Sequence, residues 1–288
     1  MTYDLLANIN ASKERILQLQ AQLSSMKRVL KPSDDPQAAQ MIMRLSGMLD
    51  RNAQYQKNIG EGQSAMDTTN TAFTRFSDLM DQTRQVMTGA INNPDPSALA
   101  SYGDQIDQLI SDAVDTANTQ FNGRYVFGGT QTTSPPFILA ADRSAVTTNP
   151  NGVTGTIHYA VGEGVTATVN IDGQEAFTGT APFDLLIQVR DELRAGNVPT
   201  QAQLDAVNAA LNHANDESTK AGSMLQTLGA NGDQLDQQRT QIESLLSGQQ
   251  DVDTADIVLK LKMEQNSLDA ALSIGAQILP KSLVNFLK

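Results

Sequence analysis

Over most of this chain, apolar residues recur in alternating steps of four and three. That spacing keeps one narrow stripe of a helix turned toward a partner, as in a coiled-coil seam. The first run is Leu5, Ile9, Ser12, Ile16, Leu19, Leu23, Met26 and Leu30. Burying one such stripe does not offset the entropy of ordering the helix that carries it, so the segment requires a partner seam. From about Gln37 to Ile91 the pattern resumes through Leu45, Leu49, Asn52, Tyr55, Ile59, Met66, Phe73, Met80 and Met87. Unbroken, that helix would span ~80 Å at ~1.5 Å per residue. A third run holds Leu99, Tyr102, Ile106, Leu109 and Ala113, and a fourth runs from Leu204 through Val207, Leu211, Ala214, Ala221, Leu228, Leu235 and Ile242. The last carries Ile257, Leu261, Leu268, Leu272, Leu279, Leu283 and Phe286. It is a second terminal stripe with no partner of its own.

The breaks between runs are capped. In Lys31-Pro32-Ser33-Asp34-Asp35-Pro36, Pro32 turns Lys31 out of helical geometry, Asp35 is placed as N-cap and Pro36 as first helical residue. Asn92-Asn93-Pro94-Asp95-Pro96 repeats the arrangement, and so short a link makes its two helices antiparallel neighbours. Thr200 and Gln203 form a capping box. Gly229 and Gly232 predict a kink or break in the fourth run.

The texture changes at Asn122-Gly123-Arg124-Tyr125-Val126-Phe127-Gly128-Gly129. Beyond it, Pro135-Pro136 forbids helix, and two runs alternate with period two: Ile157, Tyr159, Val161, then Val165, Ala167, Val169, Ile171. Gly162-Glu163-Gly164 and Asp172-Gly173 read as turns of an antiparallel β region, and Pro182 to Arg194 as a short amphipathic helix. The expected fold class is therefore mainly α: a long coiled-coil or helical-bundle rod formed by both ends of the chain, with a small inserted β-rich domain. Residues 1–36 and 254–288 are the terminal coiled-coil segments, 37–131 and 199–253 the helical rod, and 132–198 the outer insert. Asn122, Gly123, Tyr125, Phe127, Gly128 and Gly129 mark the junction of rod and insert, with Tyr125 and Phe127 expected to anchor the departing chain.

Composition narrows the function. Aromatic residues are 5% of the chain and Trp is absent, which favours narrow seams over a thick core. The net charge of -12 with no Lys/Arg cluster makes nucleic acid and anionic membrane poor partners. With no cysteine there is no disulfide, thiol nucleophile or Cys-bound metal. The start, Met1-Thr2-Tyr3-Asp4-Leu5-Leu6, has neither the basic nor the apolar region of an ordinary cleavable signal. Chemistry-bearing motifs fare poorly. Gly162-Glu163-Gly164 meets the letter of a dinucleotide fingerprint but precedes a strand pattern where a helix is needed. Asp251-Val252-Asp253 fails the register of a calcium loop. The two histidines, His158 and His213, read as solvated or structural. No catalytic residue, cofactor site or metal site is expected, and the chain reads as a non-enzyme.

Two of these motifs carry a resemblance. Lys31-Pro32-Ser33-Asp34-Asp35-Pro36 resembles the break near the start of bacterial flagellins and hook-associated proteins. Asn122 to Thr130 is similar to the corresponding element of the hook–filament junction branch of that family, where the chain departs into an outer domain. Ser282-Leu283-Val284-Asn285-Phe286-Leu287-Lys288 resembles the family's closing segment, while the start differs, since the family has several residues ahead of the segment matching Thr2-Tyr3. The resemblance implies a structural subunit of the flagellum, made in the cytoplasm and exported by the flagellar type III route without a cleavable signal, for an extracellular place between hook and filament. The implied partners are copies of itself in a ring, the other hook-associated junction protein, flagellin and an export chaperone. The terminal seams would be the assembly surfaces. A flagellin-like filament subunit is the nearest alternative, and a secreted helical binding module a more distant one. If the terminal stripes want partners, protease should cut residues 1–35 and 255–288 of the purified monomer early while the middle survives; equal resistance throughout would refute that reading.

Overall fold

The computed structural model describes residues 2–179 and 181–286; among these, the side chains of residues 2, 4, 5 and 277–286 are not described. In chain order the elements are α1 (Thr2–Ser25), α2 (Pro36–Asn92), α3 (Pro96–Ala117), β1 (Gln120–Phe121), β2 (Arg124–Tyr125), β3 (Phe137–Leu139), β4 (Val146–Thr148), β5 (His158–Gly162), β6 (Val165–Thr168), α4 (Gly173–Phe177), α5 (Ala181–Arg194), α6 (Gln201–Gln250) and α7 (Thr254–Phe286). The fold is mainly α, with long helices from both ends of the chain around a small β insertion. The chain forms two compact units, Met1–Arg51 with Gln237–Lys288, and Asn52–Asp236.

The first unit pairs α1 with α7, so each terminal stripe supplies the partner the other lacks. Ser12, a seam residue, donates its hydroxyl to Glu264 at 2.8 Å, and Arg15 Nε reaches the other oxygen of that carboxylate at 2.5 Å. The two chain breaks of this unit meet as well. Arg28 N donates to Gln250 O at 2.7 Å, Val252 N donates to Met26 O at 3.2 Å, and Lys27 bridges Asp251. The Asp pair before α2 has the modest role expected of it. Asp35 accepts from Ala38 N at 3.0 Å as the N-cap, and Asp34 accepts from Leu30 N and Lys31 N.

In the second unit α2 and α6 run antiparallel: Asn52 reaches Leu235, Asn70 meets Ser218 and Ser77 meets Asn215. Buried residues recur every seventh position on both. On α2 they are Asn52, Ile59, Met66, Phe73, Met80 and Met87, and on α6 Val207, Ala214, Ala221, Leu228 and Leu235. A strict seven-residue repeat is the signature of a left-handed supercoiled seam. Asn52 is the one amide in that series. Its Nδ2 donates to Leu235 O at 2.9 Å while its Oδ1 has no partner, the usual cost of a polar residue that specifies register. The glycines of α6 do not break it. Gly229 and Gly232 lie within one continuous helix, where their missing side chains face Gln63 and Ile59 of α2. Packing against a neighbour supplies what their low propensity lacks.

α3 returns along α2, with Gly89 against the Tyr102 ring, and packs closely on α5. At Gly103 an added Cβ would lie 3.3 Å from Arg190 O and 3.4 Å from Arg194 N, so a larger residue would separate these helices. The β region consists of three two-stranded antiparallel ladders, β1–β2, β3–β4 and β5–β6, among the described residues. Asp172-Gly173 is not a hairpin turn. Asp172 caps α4, accepting from Glu175 N at 2.9 Å, and the Asp-x-x-Glu spacing of a capping box was the available signal.

Six of the eight phenylalanines gather where these parts meet: Phe73 and Phe76 of α2, Phe127, Phe137, Phe177 and Phe183. Phe177, at the end of α4, touches the other five at centroid separations from 4.9 to 6.2 Å. The low aromatic content is thus concentrated in one core. Phe177→Ala should cost about 3–5 kcal/mol and lower Tm by about 2–4 °C for each kcal/mol lost. A calorimetric Tm within one degree of the parent would refute the hub role.

Candidate assembly surface and insert junction

The α1–α7 pair is a seam of only two helices, and it leaves much apolar surface open. Of the predicted seam residues, Ile9 and Ile257 are buried, Ile16, Leu19, Leu23, Leu261 and Leu268 are half-buried, and Met26, Leu30 and Leu272 are exposed. The side chains of Leu5, Leu279, Leu283 and Phe286 lie outside the described residues. Outside the predicted stripe, Leu17, Leu259 and Met263 are 64%, 61% and 63% exposed. Met263 and Leu19 border a hollow of about 510 Å³ between the helices, rimmed by Arg15, Gln22, Lys260 and Glu264. Exposed apolar side chains beside a polar rim are the character of an interaction face.

The junction motif is built from a turn and close backbone contacts. Asn122 and Gly123 have φ of 49° and 75°, the left-handed pair that a two-residue type I′ hairpin requires between β1 and β2. Asn-Gly is the strongest short-range signal for that turn, and the expectation that helix simply ended here overlooked it. At Gly129 (φ 57°) an added Cβ would lie 2.3 Å from Thr154 O, and at Gly128 one would lie 2.7 Å from Gln131 O. Both positions exclude any larger residue. Phe127 is fully buried, 5.2 Å from Phe73 and 4.9 Å from Phe177. Tyr125 is half-buried and borders a cleft outside the phenyl cluster. Of the two residues expected to anchor the departing chain, Phe127 is the one in the core.

Two partly buried charge clusters lie in the second unit, and neither was legible in the sequence. Asp107 of α3 receives Arg190 at 3.1 Å and Arg143 at 3.0 Å, with Arg194 at 3.6 Å. Burial works to raise its carboxyl, but hydrogen bonds from Arg190 and Arg143 and the charges of Arg143 and Arg194 outweigh that and hold it below the ordinary 3.8. A depressed carboxylate stabilises the fold above its ordinary pKa, and that contribution is lost as pH falls through the folded value. Glu217 of α6 is the opposite case. Burial pushes it above the ordinary 4.5, helped by Glu175 and Asp216 and opposed by Lys220 and His213. Its Oε2 accepts no hydrogen bond and lies 3.8 Å from Lys220 Nζ.

The histidines are occupied locally. His158 pairs with Thr156 and Thr168 hydroxyls at 3.2 Å, and His213 with Glu175 O at 2.8 Å. No group of three or more His, Asp or Glu residues placed to hold a metal occurs among the described residues. Asp253 caps α7 through Ala255 N, and Asp251 accepts from Ser247 at 2.5 Å.

Residues 1–132 match the bacterial flagellin N-terminal helical region. The chain is 30% identical over 140 residues to flagellar hook-associated protein 3 of Salmonella typhimurium, covering 46% of this chain and 42% of that protein. It is 31% identical over 124 residues to the Escherichia coli protein of the same name, covering 40% and 37%. The aligned stretch thus spans less than half the length of these curated relatives. In fold, the chain is similar to Bacillus cereus FlgL, with TM-score 0.60 at 20% identity over 71% of this chain and 99% of that one. It is similar also to hook-associated protein 3 of Legionella pneumophila, with TM-score 0.64 at 13% identity over 72% and 98%.

The raised carboxyl of Glu217 yields a signed expectation. An acid whose folded pKa is raised stabilises most below its ordinary value, and that stability is lost as pH rises through the folded value. Glu217→Gln should therefore raise Tm at pH 7 and leave it nearly unchanged at pH 4. A lower Tm at pH 7 would mean that attraction to Lys220 outweighs the burial of the charge.

Proposed function

We propose that this chain is a structural, non-enzymatic subunit of the bacterial flagellum that forms the junction between hook and filament and assembles through its terminal helices. The observation that carries the reading is the flagellin-type N-terminal region joined to a two-helix terminal seam too thin to cover its own apolar residues. A seam of that kind gains most of its burial from neighbouring subunits. Copies of the same chain in a ring, the adjoining hook-associated protein and flagellin are the partners that complete it. The absence of cysteine fits a subunit threaded unfolded through the type III channel with the help of a chaperone, since no disulfide has to form or survive. The domain scheme of terminal segments, helical rod and outer insert fits this reading, with the insert at residues 132–198 facing outward. The likeness to hook-associated protein 3 in both curated relatives favours the junction over a filament subunit.

Deleting the gene should leave hooks intact and release flagellin monomer into the medium; intact filaments in its absence would overturn the proposal. Leu259→Asp and Met263→Asp tests the face itself. Both side chains are exposed in the monomer, so the unfolding free energy should move by less than about 0.5 kcal/mol each, while the exported subunit no longer enters flagella. Normal incorporation of the double variant would remove this face from the assembly surface.

A further inference from the structure

A cleft of about 350 Å³ opens beside the β1–β2 hairpin, a size in the range of small-ligand sites. Its floor is aliphatic, from Val126, Ile157 and Val169, and the rings of Phe121, Tyr125 and Tyr159 border it. Polar groups on the floor are already used by the fold. Asn170 accepts from Ile157 N at 2.6 Å and donates to Gly155 O at 2.8 Å, and Thr69 donates to Ala65 O at 2.9 Å. The rim is different. Glu61 of α2, Asn122 and Arg124 of the hairpin, and Tyr125 and Tyr159 line the cleft, and their side chains have no hydrogen-bond or ion-pair partner among the described residues.

These features restrict what the cleft can hold. A purely apolar ligand would cover the rim groups and strip their water without replacing its hydrogen bonds, which costs free energy for each group. A phosphate or other anion would meet one guanidinium opposed by one carboxylate, a net charge of zero. A neutral polyhydroxylated ring satisfies both halves of the site. Its C–H faces lie on aromatic rings, and adjacent hydroxyls offer the paired donors and acceptors that a carboxylate, an amide and a guanidinium engage two at a time. We propose that this cleft binds one neutral saccharide unit, held between the Tyr125 and Tyr159 rings and the Glu61 and Arg124 heads. The cleft binds without turnover, because glycoside hydrolysis needs two carboxyl groups and Glu61 is the one carboxylate lining it.

The proposal concerns the purified chain and stands or falls independently of assembly into a flagellum. The protein has five tyrosines and no tryptophan, so tyrosine fluorescence reports on a cleft bordered by two of them. The full chain would be titrated with methyl α-glucoside, methyl β-galactoside, N-acetylglucosamine, maltose, lactose and inorganic phosphate. At least one neutral sugar should give a saturable change, matched by saturation transfer from protein to sugar in NMR. Tyr159→Ala and Glu61→Gln should each weaken that sugar by about ten-fold with the thermal midpoint of Glu61→Gln unchanged. Failure of every neutral sugar to saturate would overturn the proposal. So would tighter binding of phosphate. Concentration-dependent self-association abolished by Arg124→Glu would instead assign the cleft to a second copy of the chain.

Discussion

The phenyl ring of Phe177 contacts five other phenylalanine rings, and the second unit is organised by that packing. A two-helix seam has too little thickness to bury large side chains fully, and a chain with 5% aromatic residues has few to place. Gathering six of them at one point turns a narrow seam into a true core. That core holds α2, the segment after β2, β3, α4 and α5 together. Gly128, Gly129 and Gly173 belong to the same constraint, since a side chain at any of them would push backbone out of this core.

Among the described residues, the first unit has no equivalent ring cluster. Its α1–α7 pair is joined by one seam, a carboxylate shared by Ser12 and Arg15, and a short clasp between the two chain breaks. Most of its described seam residues remain half-buried or exposed. The contrast follows from the number of neighbours: a helix flanked on one side buries one stripe and leaves the rest to water or to another molecule. Aromatic packing is thus concentrated in the second unit, and apolar side chains are left open in the first.

The helical pattern was largely legible. Pro36, Pro96 and Thr200 sit where their capping chemistry placed them, and the heptad phase of α2 and α6 matches their buried positions. Three expectations missed for identifiable reasons. Gly229 and Gly232 lower helix propensity, but contact with α2 outweighs that loss. Asp172-Gly173 was read for its turn propensity when Glu175 three residues on marked a helix cap. Asn122-Gly123 is a hairpin turn between strands of two residues each, too short for period-two alternation to register.

By itself, the sequence determined the long helices, most of their caps, and the apolar stripe that each carries, because those properties depend on residues within a few positions of one another. It determined also that the chain has no cysteine and a net charge of -12. Tertiary structure alone decided which stripes meet, since a heptad specifies a partner's face without naming the partner. It joined Asp107 to Arg143 and Arg190, set Glu217 in a site that disfavours its charge, and brought Glu61, Arg124 and Tyr159 to one cleft. Each of these groupings joins residues distant in sequence through burial and electrostatics, and no local period encodes them.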